Sequence, residues 1–320
     1  MRTISVICHT EGNRLAVTQG DPPEAAPDGV VIAVEGAGVN RADVLQRRGL
    51  YPSPAGWPEW PGLECSGTVT SVGAEVTSLR IGDPVCALVG GGAYAEQVAV
   101  PADLVLPVPA GLTLIEAAGV MEGACTVWSN LAAAHALAGQ TLLIHGGSGG
   151  VGTFAIQMAK ALGLRVITTA RGPERVRRCL ELGADVAIDY VSEDFVDATL
   201  AMGGADVILD VVGAAYLERN LAALATGGQL VVIGLQRGAR AEIDMGVLLS
   251  KRASIIGTTL RSRPHAERAA IVAGVGREIW PLIPHAIRPV IHSTVPFDEA
   301  QSAHDLLDSG EVFGKVILVP

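Results

Sequence analysis

The sequence predicts a mixed α/β protein in which an all-β unit is followed by a parallel sheet with helices on both faces. Before residue 121, short β-like runs alternate with Gly and Pro, whereas from about residue 141 apolar strand-like runs alternate with helical segments. Hydrophobic residues make up 49% and charged residues 18% of the 320 residues, so a large core can be buried. The length is enough for two domains, since a domain commonly takes roughly 100–200 residues.

The first part of the chain has the pattern of a barrel or sandwich. Its strand-like runs are short and are bounded by turn-forming residues. They cover residues 29–34, 67–72, 84–88 and 94–100. Residues 51–61 contain four prolines and two tryptophans, so this stretch is predicted to be an ordered surface loop.

The second part alternates strands with helices. Its strands are predicted at 141–145, 165–170, 186–189, 207–211, 229–234 and 254–258. Near-continuous Val, Ile and Leu strands with helical crossovers predict a parallel sheet that is buried on both faces. Six such strands match the doubly wound Rossmann architecture that binds dinucleotides. The segment after residue 262 is too short to form a domain, so we expect it to return to the first part.

A glycine-rich turn follows the first of these strands and precedes a helix. It has the G-x-G-x-x-G pattern at Gly147, Gly149 and Gly152. We interpret Gly147 as permitting the turn, Gly149 as admitting a pyrophosphate to the backbone, and Gly152 as allowing helix and strand to pack closely. The residues expected at the phosphates, beside the N–H groups of the helix N-terminus, are Gly147, Ser148, Gly149, Gly150, Val151 and Gly152. The alternative is a turn that binds nothing.

The end of the second strand favours NADP(H) over NAD(H). An NAD site places Asp or Glu about 20 residues beyond the glycine motif, but no acid occurs from residue 161 to 173. Arg171 and Arg175 occupy this region, and guanidinium groups can bind a 2′-phosphate bidentately. The alternative is a solvated helix face, which is our interpretation of Arg177 and Arg178.

Charge and cysteine usage exclude several classes of protein. The formal net charge is −10, which disfavours nucleic acid as a partner. No apolar run reaches the roughly 18 residues of a membrane span, and the most apolar stretch, 117–139, is interrupted by Glu122, Asn130 and His135. The five cysteines are scattered and never spaced C-x-x-C, as is typical of a reducing compartment. Without a recognisable secretory signal, we expect a cytoplasmic location.

Motifs along the whole chain carry a resemblance to a known family. They are Gly38-Val39-Asn40-Arg41-Ala42-Asp43, Gly49-Leu50-Tyr51-Pro52, residues 61–69, Gly82-Asp83-Pro84-Val85, Ala93-Tyr94-Ala95-Glu96, residues 139–160 and Phe313-Gly314-Lys315-Val316. With them the chain resembles the zinc-independent quinone oxidoreductase branch of the medium-chain dehydrogenase/reductase superfamily, and within it the zeta-crystallin-like, p53-inducible type. The resemblance implies a GroES-like catalytic domain (residues 1–121 and 263–320) and a Rossmann NADP(H)-binding domain (residues 122–262). Many relatives carry Ser in place of Gly149, which argues against a serine-assisted mechanism here.

The resemblance also implies site residues. Asn40 and Tyr51 would lie beside the substrate carbonyl, where the Tyr51 hydroxyl can donate a hydrogen bond to the developing oxyanion. The alternatives are that Tyr51 packs against Trp57 and Trp60, and that Asn40 caps a turn. Further cofactor contacts are implied at residues that otherwise serve packing or solvation: Thr126, Tyr190, Gly234, Leu235, Phe313 and Lys315.

No metal site is expected. A catalytic zinc ion needs about three Cys, His or acidic ligands around an open position. By the resemblance, the zinc branch has Cys where this chain has Asn40, and Gly-His-Glu where it has Gly62-Leu63-Glu64. Cys65 and Cys86 are interpreted as small core residues, and Glu64 as structural.

The function expected is NADPH-dependent hydride transfer to a quinone or enone. One alternative is a 2-enoyl thioester reductase of the same fold, for which Arg261-Ser262-Arg263 is the basic segment available to CoA phosphates. Another is an NADPH-binding sensor or structural protein with weak turnover. The strand from Ser254 to Thr258 would be an exposed sheet edge, so we expect a homodimer joined edge to edge.

Overall fold

The chain divides into two compact units in the computed structural model, which describes residues 1–8 and 12–320. The first unit comprises Met1–Cys125, Leu260–His285 and Pro289–Pro320, and the second comprises Thr126–Thr259 and Ala286–Arg288. The sequence predicts divisions after residues 121 and 262. The assignment of substrate binding to one unit and cofactor binding to the other stays a prediction.

Strands and helices are numbered in chain order. The strands are β1 (Arg2–Ile7), β2 (Arg14–Gln19), β3 (Gly29–Gly38), β4 (Glu64–Val72), β5 (Pro84–Leu88), β6 (Gln97–Pro101), β7 (Val105–Pro107), β8 (Thr141–His145), β9 (Arg165–Ala170), β10 (Val186–Asp189), β11 (Ala205–Asp210), β12 (Leu224–Val232), β13 (Ser254–Gly257), β14 (Ile291–Pro296) and β15 (Lys315–Val319). The helices are α1 (Arg41–Arg47), α2 (Leu114–Ala117), α3 (Met121–Ala133), α4 (Gly150–Ala161), α5 (Pro173–Glu181), α6 (Phe195–Ala201), α7 (Leu217–Ala223), α8 (Met245–Lys251), α9 (His265–Glu278) and α10 (Ala300–Ser309). Within residues 1–8 and 12–320, no helix is both long and apolar enough to cross a lipid bilayer.

The first unit is built on a seven-stranded sheet with the order β14-β15-β3-β4-β5-β7, in which β6 also pairs with β3. One part of β3 pairs with β6, and its last residues, Ala37 and Gly38, pair with β15. The C-terminal segment therefore returns to the first unit. A separate antiparallel hairpin of β1 and β2 completes the strands of this unit.

β3 extends to Gly38, beyond the predicted end at residue 34. Its glycines are positions of close packing: a Cβ atom at Gly36 would lie 2.9 Å from Cβ of Ala118, and one at Gly38 would lie 2.3 Å from Oε1 of Glu64. Glycine thus lets the strand run directly over neighbouring groups without ending it. The last residue of β3 leads straight to the N-terminus of α1.

The second unit is a six-stranded sheet with the order β10-β9-β8-β11-β12-β13, and every neighbouring pair is parallel. The predicted doubly wound sheet is confirmed. All five residues of β8 are buried, as expected for a strand covered on both faces. The strand order reverses direction at β8, and ligands of such sheets bind outside the carboxyl ends of the strands at this point.

Candidate active site

The glycine-rich turn joins β8 to α4 at the carboxyl end of this central strand. A Cβ atom at Gly147 would lie 2.1 Å from Oγ1 of Thr168, and one at Gly152 would lie 2.1 Å from the carbonyl oxygen of Gly146. Neither position accepts a side chain without movement of its surroundings. The turn therefore packs tightly against β9 through Gly147, and α4 packs tightly against the turn through Gly152.

Gly149 has a more open environment than its neighbours. The nearest atom to a Cβ placed there is the Gly146 carbonyl oxygen at 3.5 Å, which is an ordinary contact. Gly149 is also the N-cap of α4 and offers no capping side chain to the first N–H groups of the helix. The space beside these N–H groups suits an anion such as a pyrophosphate. The left-handed residue of the turn is Gly146 (φ +76°), a role the sequence suggested for Gly147.

Arg171 and Tyr190 directly follow the neighbouring strands β9 and β10. Asp189, the last residue of β10, pairs with Ala170, the last residue of β9, and the Tyr190 N–H donates to the Ala170 carbonyl (3.2 Å). Arg175 reaches the same corner, because its Nη1 donates to the Arg171 carbonyl (3.4 Å). The structure thus brings these three predicted cofactor residues to one corner of the sheet.

An acidic group that sequence reasoning missed lies at the same corner. Asp189 Oδ1 accepts the N–H groups of Gly172 (3.0 Å) and Val191 (3.1 Å). These hydrogen bonds, with a further contribution from the charge of Arg171, lower the pKa of the Asp189 carboxyl. The acid of an NAD site is expected at the end of β9, whereas Asp189 comes from the end of the next strand, β10.

The remaining predicted cofactor residues of the second unit lie just after β12 and on α3. Gly234 and Leu235 follow β12, and a Cβ atom at Gly234 would lie 2.8 Å from the Val211 carbonyl oxygen. Leu235 is exposed. Thr126 is half-buried in α3, where its carbonyl accepts Asn130 Nδ2 (2.7 Å). Their contacts with a cofactor stay predictions.

A buried polar network joins Asn40, Glu64 and Lys315 in the first unit. Asn40 Nδ2 donates to Glu64 Oε1 (3.0 Å) and to the Gly38 carbonyl (3.2 Å), and Asn40 Oδ1 accepts from Lys315 Nζ (2.6 Å). Lys315 also forms an ion pair with Glu64, whose Oε2 accepts the N–H of Glu122 (2.9 Å). The side chains of Lys315 and Glu64 are 4% and 0% exposed. A charge pair buried this deeply requires these additional hydrogen bonds.

This network uses groups that the sequence assigned to substrate and cofactor. Both ends of the Asn40 amide are engaged within the unit, and Asn40 is also the N-cap residue of α1, where its N–H donates to Asp43 Oδ2. Lys315 directs its ammonium to Asn40 and Glu64, and Phe313 is buried just before it. The roles of Asn40 at the substrate and of Lys315 and Phe313 at the cofactor stay predictions.

Two further carboxyl groups lie near the network. Asp43 is fully buried and accepts the N–H groups of Asn40 (2.8 Å) and Gly62 (2.9 Å), yet its burial raises its pKa to about 6. Burial, with a further contribution from the charge of Glu64, raises the pKa of Glu122 to about 8. Among the described residues, the Glu122 carboxyl has no hydrogen-bond partner. Glu122 therefore carries a proton at neutral pH.

Tyr51 is the first residue of the 51–61 loop, and Arg261 holds it in two ways. Arg261 Nη1 donates to the Tyr51 carbonyl (3.2 Å), and the guanidinium carbon lies 5.2 Å from the ring centroid. Burial and the charge of Glu122 raise the pKa of the phenol, while Arg261 lowers it. Within the described ranges, the hydroxyl makes no hydrogen bond. The neutral phenol is therefore available as a donor to an incoming oxygen atom.

The residues at the positions of the zinc branch do not suit a zinc ion. Asn40 offers an amide, Leu63 is apolar, and the Lys315 ammonium is bonded to both Asn40 and Glu64. A protonated amine repels a metal cation and cannot ligate it. Across residues 1–8 and 12–320, no group of three or more His, Cys, Asp or Glu side chains could hold a metal.

Sequence reasoning overlooked Glu122 and gave Arg261 a different role. Arg261, suggested as a contact for CoA phosphates, is 5% exposed and donates to acceptors within its own unit. Glu122 interrupts the most apolar stretch of the chain, and a lone charged residue in such a run indicates a buried carboxyl group.

Comparisons with known proteins agree with this fold. Residues 26–110 match the family model for the alcohol dehydrogenase GroES-like domain, and residues 150–273 match that for zinc-binding dehydrogenases. The quinone oxidoreductase of Pseudomonas aeruginosa is 33% identical over 305 residues, which is 93% of each chain. The quinone oxidoreductase of Thermus thermophilus, solved also as its complex with NADPH, is 34% identical with a TM-score of 0.86 over 100% of both chains. The Escherichia coli quinone oxidoreductase, complexed with NADPH, is 27% identical with a TM-score of 0.86, again over 100% of both chains.

The chain therefore belongs to the medium-chain dehydrogenase/reductase superfamily, and the predicted pair of a GroES-like domain and a Rossmann domain is confirmed. Within the superfamily it is a member of the zinc-independent quinone oxidoreductase branch.

Proposed function

We propose that this protein is an NADPH:quinone oxidoreductase that reduces quinones or related enones by hydride transfer without a metal ion. The observation that carries the proposal is the glycine turn, in which Gly147 and Gly152 are sterically required while Gly149 leaves space at the start of α4. Relatives named quinone oxidoreductases match nearly the whole chain, and two of them were solved with NADPH.

The second unit has groups suited to NADPH. The N–H groups from Gly150 to Gly152 would bind the pyrophosphate. Arg171 and Arg175 would bind the 2′-phosphate beside Tyr190, and Arg171 also offsets the charge of Asp189 there. When bound, NADPH supplies the hydride.

In the first unit, Tyr51 would donate a hydrogen bond to the carbonyl oxygen of the acceptor. Its hydroxyl has no competing partner among the described residues, and a donor aimed at developing negative charge is worth a few kcal/mol in a dry site. Glu122 would hold a proton close to this oxygen, because its carboxyl is protonated at neutral pH. Asn40 would act by keeping the buried polar network that it forms with Glu64 and Lys315 in place.

Consumption of NADPH, followed by its absorbance, tests the proposal. The purified protein would be given NADPH or NADH with an ortho-quinone, a para-quinone, a simple enone or an enoyl thioester, each with and without a chelator. We expect rapid turnover with a quinone, faster with NADPH than with NADH and unchanged by the chelator. Turnover with the thioester alone would contradict the proposal, as would saturable NADPH binding without any turnover.

We also propose that the protein forms a homodimer through β13. Among the described strands it pairs only with β12, so it is the edge of the sheet, and Ile255 on it is 36% exposed. An apolar edge of this kind is prone to pair with another strand. Light scattering should give the mass of a dimer, and Ile255→Lys should shift it towards the monomer. A monomeric wild-type protein would contradict this.

A reducing compartment such as the cytoplasm fits the cysteines. Cys65, Cys86, Cys125 and Cys179 are buried free thiols, and burial raises the pKa of each. Buried, protonated thiols are unreactive and do not form disulfide bonds readily.

A further inference from the structure

Arg261 is a buried cation of the first unit. Its guanidinium donates four hydrogen bonds: from Nε to the Gly90 carbonyl (2.6 Å), from Nη1 to the Tyr51 carbonyl (3.2 Å), and from Nη2 to Gln46 Oε1 (2.8 Å) and Ser53 Oγ (3.2 Å). All four acceptors are uncharged, and no described carboxylate forms an ion pair with Arg261. Burial lowers the pKa of the guanidinium, so its position is maintained against a desolvation cost.

Two of these acceptors pass the restraint on to the rest of the loop. Gln46 Nε2 donates to the Glu59 carbonyl (2.6 Å), and the Ser53 hydroxyl donates to the Pro58 carbonyl (2.6 Å). Arg261 donates to the side-chain oxygen of both Gln46 and Ser53. The Gln46 amide N–H and the Ser53 O–H are therefore directed to the loop carbonyls. Hydrogen bonds linked in this way strengthen one another.

A run of three glycines lets the loop approach so closely. A Cβ atom at Gly90 would lie 2.7 Å from the Trp57 ring, and one at Gly91 would lie 2.7 Å from Ser53 Oγ. Trp60 Nε1 donates to the Gly92 carbonyl (3.0 Å). Both ends of the 51–61 loop are therefore tied down, and Arg261 is the group that contacts the end carrying Tyr51.

We propose that Arg261 is a positioning residue that fixes the start of the 51–61 loop and thereby directs the Tyr51 hydroxyl toward the acceptor oxygen. The inference rests on the proposed function, since Tyr51 is the group that would touch the acceptor. Arg261 holds the Tyr51 backbone by a hydrogen bond and the ring by its charge, so its loss would move both. A segment far along the chain thereby sets the geometry of the loop.

The test compares Arg261→Ala and Arg261→Lys with Arg263→Ala, an arginine two residues away that pairs with Glu267. We expect Arg261→Ala to lower kcat for a quinone by about 10- to 100-fold, as when an oriented donor to developing charge is misplaced. The dissociation constant of NADPH should stay within about twofold, because Arg261 does not belong to the second unit. Arg261→Lys should restore little, since a lysine cannot reach four acceptors in a fork, and Arg263→Ala should behave as wild type.

Two readouts separate positioning from general stability. In the Tyr51→Phe background, Arg261→Ala should cost less than about threefold, because the two residues act through one hydroxyl. Added guanidinium ions should restore part of kcat to Arg261→Ala only. An equal loss of kcat on Arg261→Ala substitution in the wild-type and Tyr51→Phe backgrounds would overturn the proposal. If the alanine variant does not fold, the same comparison is made with Arg261→Lys.

Hydrogen exchange of residues 51–60 tests the inference even if quinone turnover fails. We expect faster exchange in Arg261→Ala than in wild type or Arg263→Ala. Unchanged exchange would overturn the role of Arg261. Faster exchange in a protein without quinone turnover would refute the proposed function while retaining Arg261 as the residue that holds the loop.

Discussion

The ion pair of Lys315 and Glu64 provides a sharp test of how the first unit is stabilised. Replacing Lys315 with Met keeps the length of the side chain but, among the described residues, leaves the Glu64 carboxylate with only Asn40 Nδ2 and the Glu122 N–H as partners. Both charged side chains are almost completely buried. Removing one partner of a buried pair typically costs about 3–5 kcal/mol, because the other charge stays behind without compensation.

The chain contains a matched control in Lys160, which pairs with Asp185 at 2.9 Å. There the side chains are 35% and 37% exposed, so water screens both charges. Lys160→Met should therefore change the free energy of unfolding by less than about 1 kcal/mol. The double variant Lys315→Met/Glu64→Gln should recover much of the lost stability, since replacing a whole buried pair is often close to neutral.

Urea unfolding, monitored by tryptophan fluorescence, suits this comparison of free energies of unfolding. Of the four tryptophans, Trp57, Trp60 and Trp280 belong to the first unit and Trp128 belongs to the second. A Lys315→Met variant within about 1 kcal/mol of wild type would show that the network does not stabilise the unit as argued. So would a double variant that is less stable than Lys315→Met alone.

Three other predictions concern the cofactor turn, the 2′-phosphate and the titration of Glu122. Gly152→Ala should abolish NADPH binding and destabilise the second unit, because its Cβ would lie 2.1 Å from the Gly146 carbonyl oxygen. Gly149→Ser should fold normally, because the nearest atom to its Cβ is 3.5 Å away. Thermal melts and NADPH fluorescence measure both variants, and equal behaviour of the two would contradict the steric argument. Arg171→Glu should raise the dissociation constant of NADPH by about tenfold or more and leave that of NADH nearly unchanged, as loss of a charge-assisted hydrogen bond implies; a parallel weakening of both cofactors would exclude a 2′-phosphate contact. The pKa of Glu122 is raised from 4.5 to about 8 on folding, so wild type should lose stability as the pH rises from about 4.5 to 8, because the unfolded chain releases this proton while the folded state retains it. Glu122→Gln should therefore be more stable than wild type at pH 9 and should differ least from it below about pH 4, and a difference that does not depend on pH would refute the assignment.

Local patterns in the sequence were sufficient for the Rossmann sheet and for the cofactor turn. Apolar strands separated by helices define the sheet, and Gly147, Gly149 and Gly152 occupy neighbouring positions whose spacing has a direct steric meaning. The polar network of the first unit has no such local signature. Lys315 and Glu64 are 251 residues apart, and Arg261 lies 171 residues from Gly90 and 215 from Gln46. Only the return of the C-terminal strand to β3 brings Lys315 beside Asn40, so sequence reasoning gave these residues separate roles.

The charges of the first unit explain why these distant cations are needed there. Asp43 and Glu122 lie within electrostatic reach of Lys315 and Arg261, and Glu64 forms an ion pair with Lys315. At pH 7 a carboxyl whose pKa is about 6 is mostly ionised and one whose pKa is about 8 is mostly protonated, so Asp43 carries a negative charge and Glu122 does not. Burial, with a further contribution from the charge of Glu64, is the physical reason that Glu122 keeps its proton. Reduction of a carbonyl places new negative charge on its oxygen, and the first unit already has a protonated carboxyl in Glu122 and a neutral donor in Tyr51.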